Sequence, residues 1–353
     1  MIQNGLPQLS SELETFIKRI PKIELHLHLE GSITPKTLLR IAQRNKVNIL
    51  AHDEAEVARH FNYRDFHEFL SVFMVMSNAL RYGEDFEEVA YALAEQLHEQ
   101  NVCYSEIMLS PALYYRRGMN LDEVVQGTAA GLARAAYDFG IRTQIAFDYG
   151  RQFGSDMAWP ILEAAIRGKP YGLVAWSIGG DEVNYPPEMY ADVFKAAREA
   201  GLHTMAHAGE VAGAASVRGA VLSLGVERIG HGIRSVDDPE VLALLRQQHV
   251  TVDVCPSSNV LTGAVHSFAK HPLRQMFDAG LQLTLNSDDP VFFQTNITQE
   301  YHIAAQVFGF SATELVTLTR NAAKAAFIPE PEKESLLHYI DTSINELGAL
   351  TSV

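Results

Sequence analysis

Eight short apolar, β-branched runs recur along this chain with helix-like segments between them, and that alternation narrows the fold more than any other feature. The runs are KIELHLHLE (22–30), YSEIMLSP (104–111), RTQIAFDYG (142–150), LVAWSIGG (173–180), HTMAHAGE (203–210), ERIGHG (227–232), VTVDVCPSSN (250–259) and LQLTLNSDD (281–289). Runs of this length and composition predict buried strands. The intervening segments carry helix signals: Thr34 and Pro35 before KTLLRIAQRN, Pro186 and Pro187 before EMYADVFKAAREA with Gly201 after it, and Asp238 and Pro239 before EVLALLRQQ. A capping side chain or proline first and a glycine last is the order helix ends prefer. Strands alternating with helices predict a parallel sheet with right-handed crossovers, and eight such units predict an α/β fold closed as a (β/α)8 TIM-type barrel. No repeat, low-complexity tract or linker interrupts the rhythm, so residues 1–353 are expected to form a single domain.

The first unit is irregular. About seventy residues separate its strand from the next, and HEFLSVFMVMSNALRYGEDFEEVAYALAEQLHEQ carries more than one helix. An insertion at that point lands on the C-terminal face of a barrel, where active sites sit, so residues 50–82 are expected to form part of a lid. A helical decoration with no part in binding is the other reading.

Charge and cysteine content exclude several function classes. The formal net charge of -15 opposes a general affinity for nucleic acid or anionic membranes, and no stretch approaches the length of apolar residues a membrane span needs. Only Cys103 and Cys255 are present, too few for a disulfide framework or a cysteine-based metal site. The N-terminus lacks the pattern of a secretory signal. A cytoplasmic protein acting on a small molecule is the expectation.

Polar residues then collect at the predicted C-terminal ends of the strands: His26 and His28, Asp181 and Glu182, His207 and Glu210, His231, Asn259, and Asp288 and Asp289. Buried polar groups must be paired or they cost on the order of 1–3 kcal/mol each. His26 and His28 lie two apart and face one way along a strand, with Leu25, Leu27 and Leu29 facing the other. Joined by His207 and Asp288 they give three nitrogens and one oxygen, a set suited to zinc with an open position for water. There is no His-Glu-x-x-His helix, CPSSN lacks a second cysteine, and LVAWSIGG has no lysine to bridge two metals, so a mononuclear site is favoured and Cys255 is read as packing.

PKIELHLHLEGS, SIGGDE, HAGE with ERIGHG, CPSSNVLTGA and LNSDDPVFF together resemble the adenosine deaminase family of metal-dependent amidohydrolases, in the family's order from about residue 20 to Phe327. The resemblance implies a barrel holding one Zn2+ per chain and hydrolytic replacement of the 6-amino group of an adenine ring, with release of ammonia. It implies His26, His28, His207 and Asp288 as metal ligands, Glu210 as proton donor to ring N1, and His231 as the residue that orients and deprotonates the attacking water. It also implies Asp289 as partner of N7 and the Gly180 N–H as donor to N3. The chemistry needs such groups: zinc lowers the pKa of water to roughly 7, and electrons arriving on the ring need a proton at N1. Taken singly, Glu210 could be a loop acid, His231 a packed histidine, and Asp181 with Glu182 a solvated helix start. The remaining histidines, His52, His98 and His338 among them, are read as ordinary.

Adenosine or 2'-deoxyadenosine is the expected substrate. Adenine, or a modified nucleoside such as 6-aminodeoxyfutalosine, is the alternative, because Glu30 stands where adenosine-specific members usually carry aspartate for the ribose. One further methylene re-aims that carboxylate. FLSVFMVMSNAL could line a pocket for a larger substituent, and Arg151 could pair with a carboxylate on it. Two other classes fit less well. A cyclic-amide hydrolase would want the missing lysine, and a purine-binding sensor would be expected to have lost a ligand or the proton donor.

Overall fold

The computed structural model describes residues 8–49, 51–60 and 66–351, excepting the side chains of 60, 66–71, 75 and 349–351. Among the described residues, every predicted run overlaps a strand. These are β1 (Lys22–His28), β2 (Val102–Leu109), β3 (Arg142–Gly150), β4 (Leu173–Gly179), β5 (His203–Ala208), β6 (Arg228–His231), β7 (Thr251–Val254) and β8 (Leu283–Leu285). They pair in parallel in the order β1 to β8. Just beyond β8 the Asp288 N–H donates to His26 O at 3.1 Å and the His28 N–H to Asp288 O at 2.9 Å, which joins the last strand to the first. The fold is a (β/α)8 TIM barrel.

Helix ends follow their chemistry. The Thr34 hydroxyl accepts from Thr37 N at the start of Pro35–Arg44, and Asp238 accepts from Glu240 N at the start of Pro239–Gln247. The outer helices Gly83–Glu99 and Leu121–Phe139 pack closely because glycines face their crossing: a Cβ on Gly127 would fall 2.0 Å from Gly83 O.

One strand departs from simple alternation. Between Glu24 and Leu27, β1 advances three residues while β2 advances two, from Ser105 to Ile107. The extra residue makes a β-bulge, and the amide oxygen of Asn286 holds it by accepting from both Leu25 N (2.8 Å) and His26 N (3.0 Å). Leu25 therefore does not share the outward face expected of it. It clusters with Ile23 and Tyr104, whereas Leu27 and Leu29 belong to the outer core between strands and helices. The bulge is what turns His26 and His28 into the barrel.

The axis is filled from below. Phe327 packs on Met108, Ala146, Ala175 and Met205. Arg228 lies over its ring at 4.0 Å and pairs with Glu106 (2.7 Å) and Asp253 (3.0 Å), all three buried.

The insertion between β1 and β2 contains helices Pro35–Arg44, Glu54–His60 and Phe66–Ala79 before the barrel helix Gly83–Glu99. Phe66–Ala79 packs against the 3-10 turn Glu30–Ser32 that follows β1, and the Phe73 ring stands 5.8 Å from Phe292 in the loop after β8. The inserted helices thus stand beside the C-terminal mouth. Of the segment expected to form a lid, residues 50 and 61–65 lie outside the described residues, as do the side chains 69–71 and 75 of the aromatic and methionine stretch. No described helix is long and apolar enough to cross a membrane.

Candidate metal and catalytic centre

Four imidazoles and a carboxylate meet inside the mouth. His26 and His28 come from β1, His207 from β5, His231 from the end of β6 and Asp288 from just past β8, and ring centroids of neighbouring histidines lie 4.6–5.5 Å apart. His231 (φ 65°) and Asp288 (φ 66°) hold left-handed backbone, which is costly for residues with a Cβ and collects at functional sites. Small neighbours make the approach possible: a Cβ on Gly230 would fall 2.6 Å from the His26 ring.

Donor atoms of His26, His207, His231 and Asp288 all lie within 4.8 Å of one another. His28 joins through Asp288, whose Oδ1 is 3.2 Å from His28 Nε2 and 3.4 Å from His26 Nε2. Neither ring nitrogen of the buried His26 has a hydrogen-bond partner. Burial, then the His207 charge, holds His26 well below the usual histidine range, in the neutral form a metal requires. Burial opposes ionisation of Asp288 too, yet His26 and His28 keep its carboxyl well below the usual range. His28 moves the other way. Burial works against its charge, but Asp289 and Asp288 outweigh it and raise the ring to about 10, a demand for positive charge that a bound cation meets. The unpartnered ring, the nitrogen-rich donor set and this demand together fit a metal ion.

Two supporting roles escaped the sequence reading. His207 Nδ1 lies 3.1 Å from Ile178 O and 3.3 Å from Asp148 Oδ1, which orients the ring with Nε2 toward the cluster. Burial resists the Asp148 charge, but His207, His28 and the Ser177 hydroxyl hold that carboxyl below the usual range. Its signal in sequence was a lone acid near the C-terminal end of β3, in FDYG.

Glu182 is the second. One carboxylate oxygen accepts from Gly209 N, the other from Glu210 N (3.2 Å), Val211 N (2.9 Å) and Ala212 N (3.0 Å). A buried acid on the β4 loop thus shapes the β5 loop that carries Glu210, and it does so without facing the cluster. Asp181 instead closes its own turn, accepting from Asn184. In Glu182→Gln one acceptor oxygen becomes an NH2 facing N–H donors, at a cost of roughly 1–3 kcal/mol. Hydrogen exchange at amides 209–212 is expected to accelerate at least about tenfold. Unchanged protection would refute this account of the loop.

Glu210 is partly buried, with Oε2 3.6 Å from His231 Nε2 and Oε1 3.5 Å from the Thr262 hydroxyl. Asp289 lies over the turn after β1, so close that a Cβ on Gly31 would fall 1.8 Å from its Oδ1. That oxygen is buried without a partner, and burial, aided by the Asp288 charge, pushes the carboxyl up to about 8. Glu30 is buried in the same turn. Its Oε1 accepts from Tyr114 OH (2.7 Å) and Ser110 N (3.0 Å), its Oε2 has no partner, and burial raises its pKa against those two donors. Gly180, exposed after β4, takes φ 90°.

Arg151 does not take up the pairing with a substrate carboxylate that its position after β3 left open. It is fully buried, and its guanidinium donates to the carbonyls of Ile178 (3.3 Å), Gly179 (3.3 Å), Tyr185 (3.4 Å) and His207, tying the ends of β4 and β5 together.

A sequence model of the family described as adenosine deaminase matches residues 21–343. The chain belongs to the adenosine deaminase family. It is 33% identical over 338 residues to the aminodeoxyfutalosine deaminase of Streptomyces coelicolor, covering 95% of this chain and 87% of the relative. It is 36% identical over 321 residues to the adenine deaminase of Sinorhizobium fredii, covering 90% and 97%. Among solved structures, adenine deaminase from Arthrobacter aurescens superposes with a TM-score of 0.87 at 32% identity, covering 92% of this chain and 99% of that one. An amidohydrolase from Burkholderia ambifaria with bound zinc superposes at 0.88 with 26% identity, covering 98% and 97%. Adenosine deaminase family enzymes are metal-dependent aminohydrolases, and the reaction of this chain is hydrolytic deamination of an adenine-containing substrate. These relatives are named for adenine and aminodeoxyfutalosine, so the findings side with the alternative substrates over the expected adenosine.

Proposed function

We propose that this chain is a zinc enzyme that deaminates adenine, with one zinc per chain. The observation that carries the substrate is the pair of buried carboxyl groups, Glu30 and Asp289, each with one unpartnered oxygen in the turn region after β1. A free purine base offers N7 and N9 on one edge, one bearing a proton and one a lone pair, and two such oxygens complement that edge. A nucleoside has no N9–H for Glu30. Tyr114 and Ser110 already hold the other oxygen of Glu30, so the carboxylate is fixed rather than free to swing toward a ribose. The second reading is 6-aminodeoxyfutalosine, favoured by the 33% identity to the enzyme of that name across 95% of the chain.

His26, His28, His207 and Asp288 would hold the zinc, since three imidazoles and a carboxylate suit that ion and leave a position open. Bound there, zinc supplies the Lewis acidity that makes water a competent nucleophile at neutral pH. One ion is the reading because the other grouping of possible donors, His28, Asp148 and His207, is incomplete. Ile178 O, an acceptor, faces His207 Nδ1, so that nitrogen carries a proton and has no lone pair to give. Glu210 handles the proton that ring N1 must receive, His231 orients the water against C6, Asp289 faces N7 and the Gly180 N–H serves N3.

The test is to measure zinc content and then the loss of 6-aminopurine absorbance with adenine, adenosine, 2'-deoxyadenosine and 6-aminodeoxyfutalosine offered separately. Adenine is expected to show the largest kcat/KM, by about tenfold or more for the one hydrogen bond a nucleoside cannot make. A preference for 6-aminodeoxyfutalosine would establish the second reading, and a zinc-loaded sample inert toward all four would end both.

A further inference from the structure

A run of hydrogen bonds behind His231 bears on which of its nitrogens carries the proton. It begins at a backbone group whose role is not in doubt: Leu273 N–H donates to His271 Nδ1 at 3.1 Å. With Nδ1 accepting, the neutral His271 ring must carry its proton on Nε2. Burial pushes His271 down to about 3, so the ring is neutral. His271 Nε2 lies 3.1 Å from Asn259 Oδ1 and donates to it. The other end of that amide is then its NH2, and Asn259 Nδ2 lies 3.0 Å from His231 Nδ1. Turning the amide over would set an NH2 against the N–H of His271, so the Leu273 amide fixes the orientation. Asn259 and His231 are both fully buried, and His271 is nearly so.

We propose that Asn259 and His271 are positioning residues that lock His231 as the tautomer with its proton on Nε2, so that His231 presents an N–H, not a lone pair, to the attacking water. The inference rests on the deaminase reading and revises one role within it: His231 orients the water and cannot take its proton at Nε2. Nearby, Glu210 Oε2 is 3.6 Å from that nitrogen. Glu210 is then the group that takes a proton from water as the O–C6 bond forms, and it passes that proton to ring N1. The remaining hydroxyl proton leaves with the C6 amino group as ammonia, which returns the ring to aromaticity with a carbonyl at C6.

The experiment is nitrogen NMR of the zinc-loaded enzyme with histidine labelled on both ring nitrogens, at neutral pH. The expected spectrum has an unprotonated Nδ1 and a protonated Nε2 for His231, assigned by its loss in His231→Gln. Asn259→Asp replaces a donor by an acceptor at the same place. It is expected to move the proton to Nδ1 and to lower kcat by about a hundredfold while zinc content holds. His271→Leu frees the amide to rotate and is expected to yield a mixture of tautomers. A protonated Nδ1 in the unaltered enzyme overturns the proposal, and so does full kcat in a variant whose proton has moved. The wild-type spectrum needs neither turnover nor a variant that folds, so failure of the substrate panel and failure of this inference are separate results.

Discussion

Replacing Glu210 by glutamine is expected to leave zinc bound and to remove about a thousandfold of kcat. The magnitude follows from the reach of a positioned proton-transfer group, roughly 10²–10⁴ in rate. The geometry explains why the two properties separate. Glu210 lies outside the grouped donor atoms, on a loop shaped by Glu182, and its nearest cluster neighbour is His231 at 3.6 Å. Glutamine keeps its size and its contact with Thr262 but cannot carry a proton between water and N1. Asp288→Ala is expected to behave in the opposite sense and lose the metal, because its Oδ1 stands between His26 and His28 while the Ser258 hydroxyl holds Oδ2 at 2.6 Å. Metal content and steady-state rates measured on the two variants decide the matter. A Glu210→Gln enzyme within tenfold of the parent would remove Glu210 from the reaction.

At the other end of the barrel, Arg228→Met is expected to destabilise the protein by about 3–5 kcal/mol, the cost of leaving buried charge without its partner. Glu106 and Asp253 would face each other in the floor with no cation between them, and burial already pushes the Asp253 carboxyl upward. Lost cation–π contact with Phe327 adds to the effect. Adding Glu106→Gln and Asp253→Asn to the same chain is expected to recover much of the loss, because neutral amides leave no charge unpaired. Urea unfolding of the single and triple variants measures both steps. Equal stability of Arg228→Met and the parent would show that the floor is held by packing alone.

Strand positions were legible because each strand is a short run buried on both faces, and a parallel barrel leaves little room for polar residues except at its ends. That His26, His28, His207, His231 and Asp288 would meet at one mouth was legible for the same reason: they stand out in apolar surroundings. What escaped depends on distant partners. The β1 bulge needs the amide of Asn286, more than 250 residues away along the chain. Glu182 has no mark to distinguish it from Asp181 until the amides of 209–212 are seen to converge on it. His271 looked ordinary because its importance comes from Asn259 and Leu273, neither of them titratable. Arg151 stayed open because a strand-end arginine resembles a ligand-binding group until burial shows it serving backbone carbonyls.

The filled floor also governs traffic. Phe327 closes the axis from below with Met108, Ala146, Ala175 and Met205 around it, so the barrel is a vessel with one neck. The adenine-containing substrate and water enter, and the deaminated product and ammonia leave, through the same opening. In the proposed site the 6-position points down toward His26, so the bulky product lies across the path of the small one. Ammonia therefore departs past the purine or behind it, and the purine stands as the cork of each turnover.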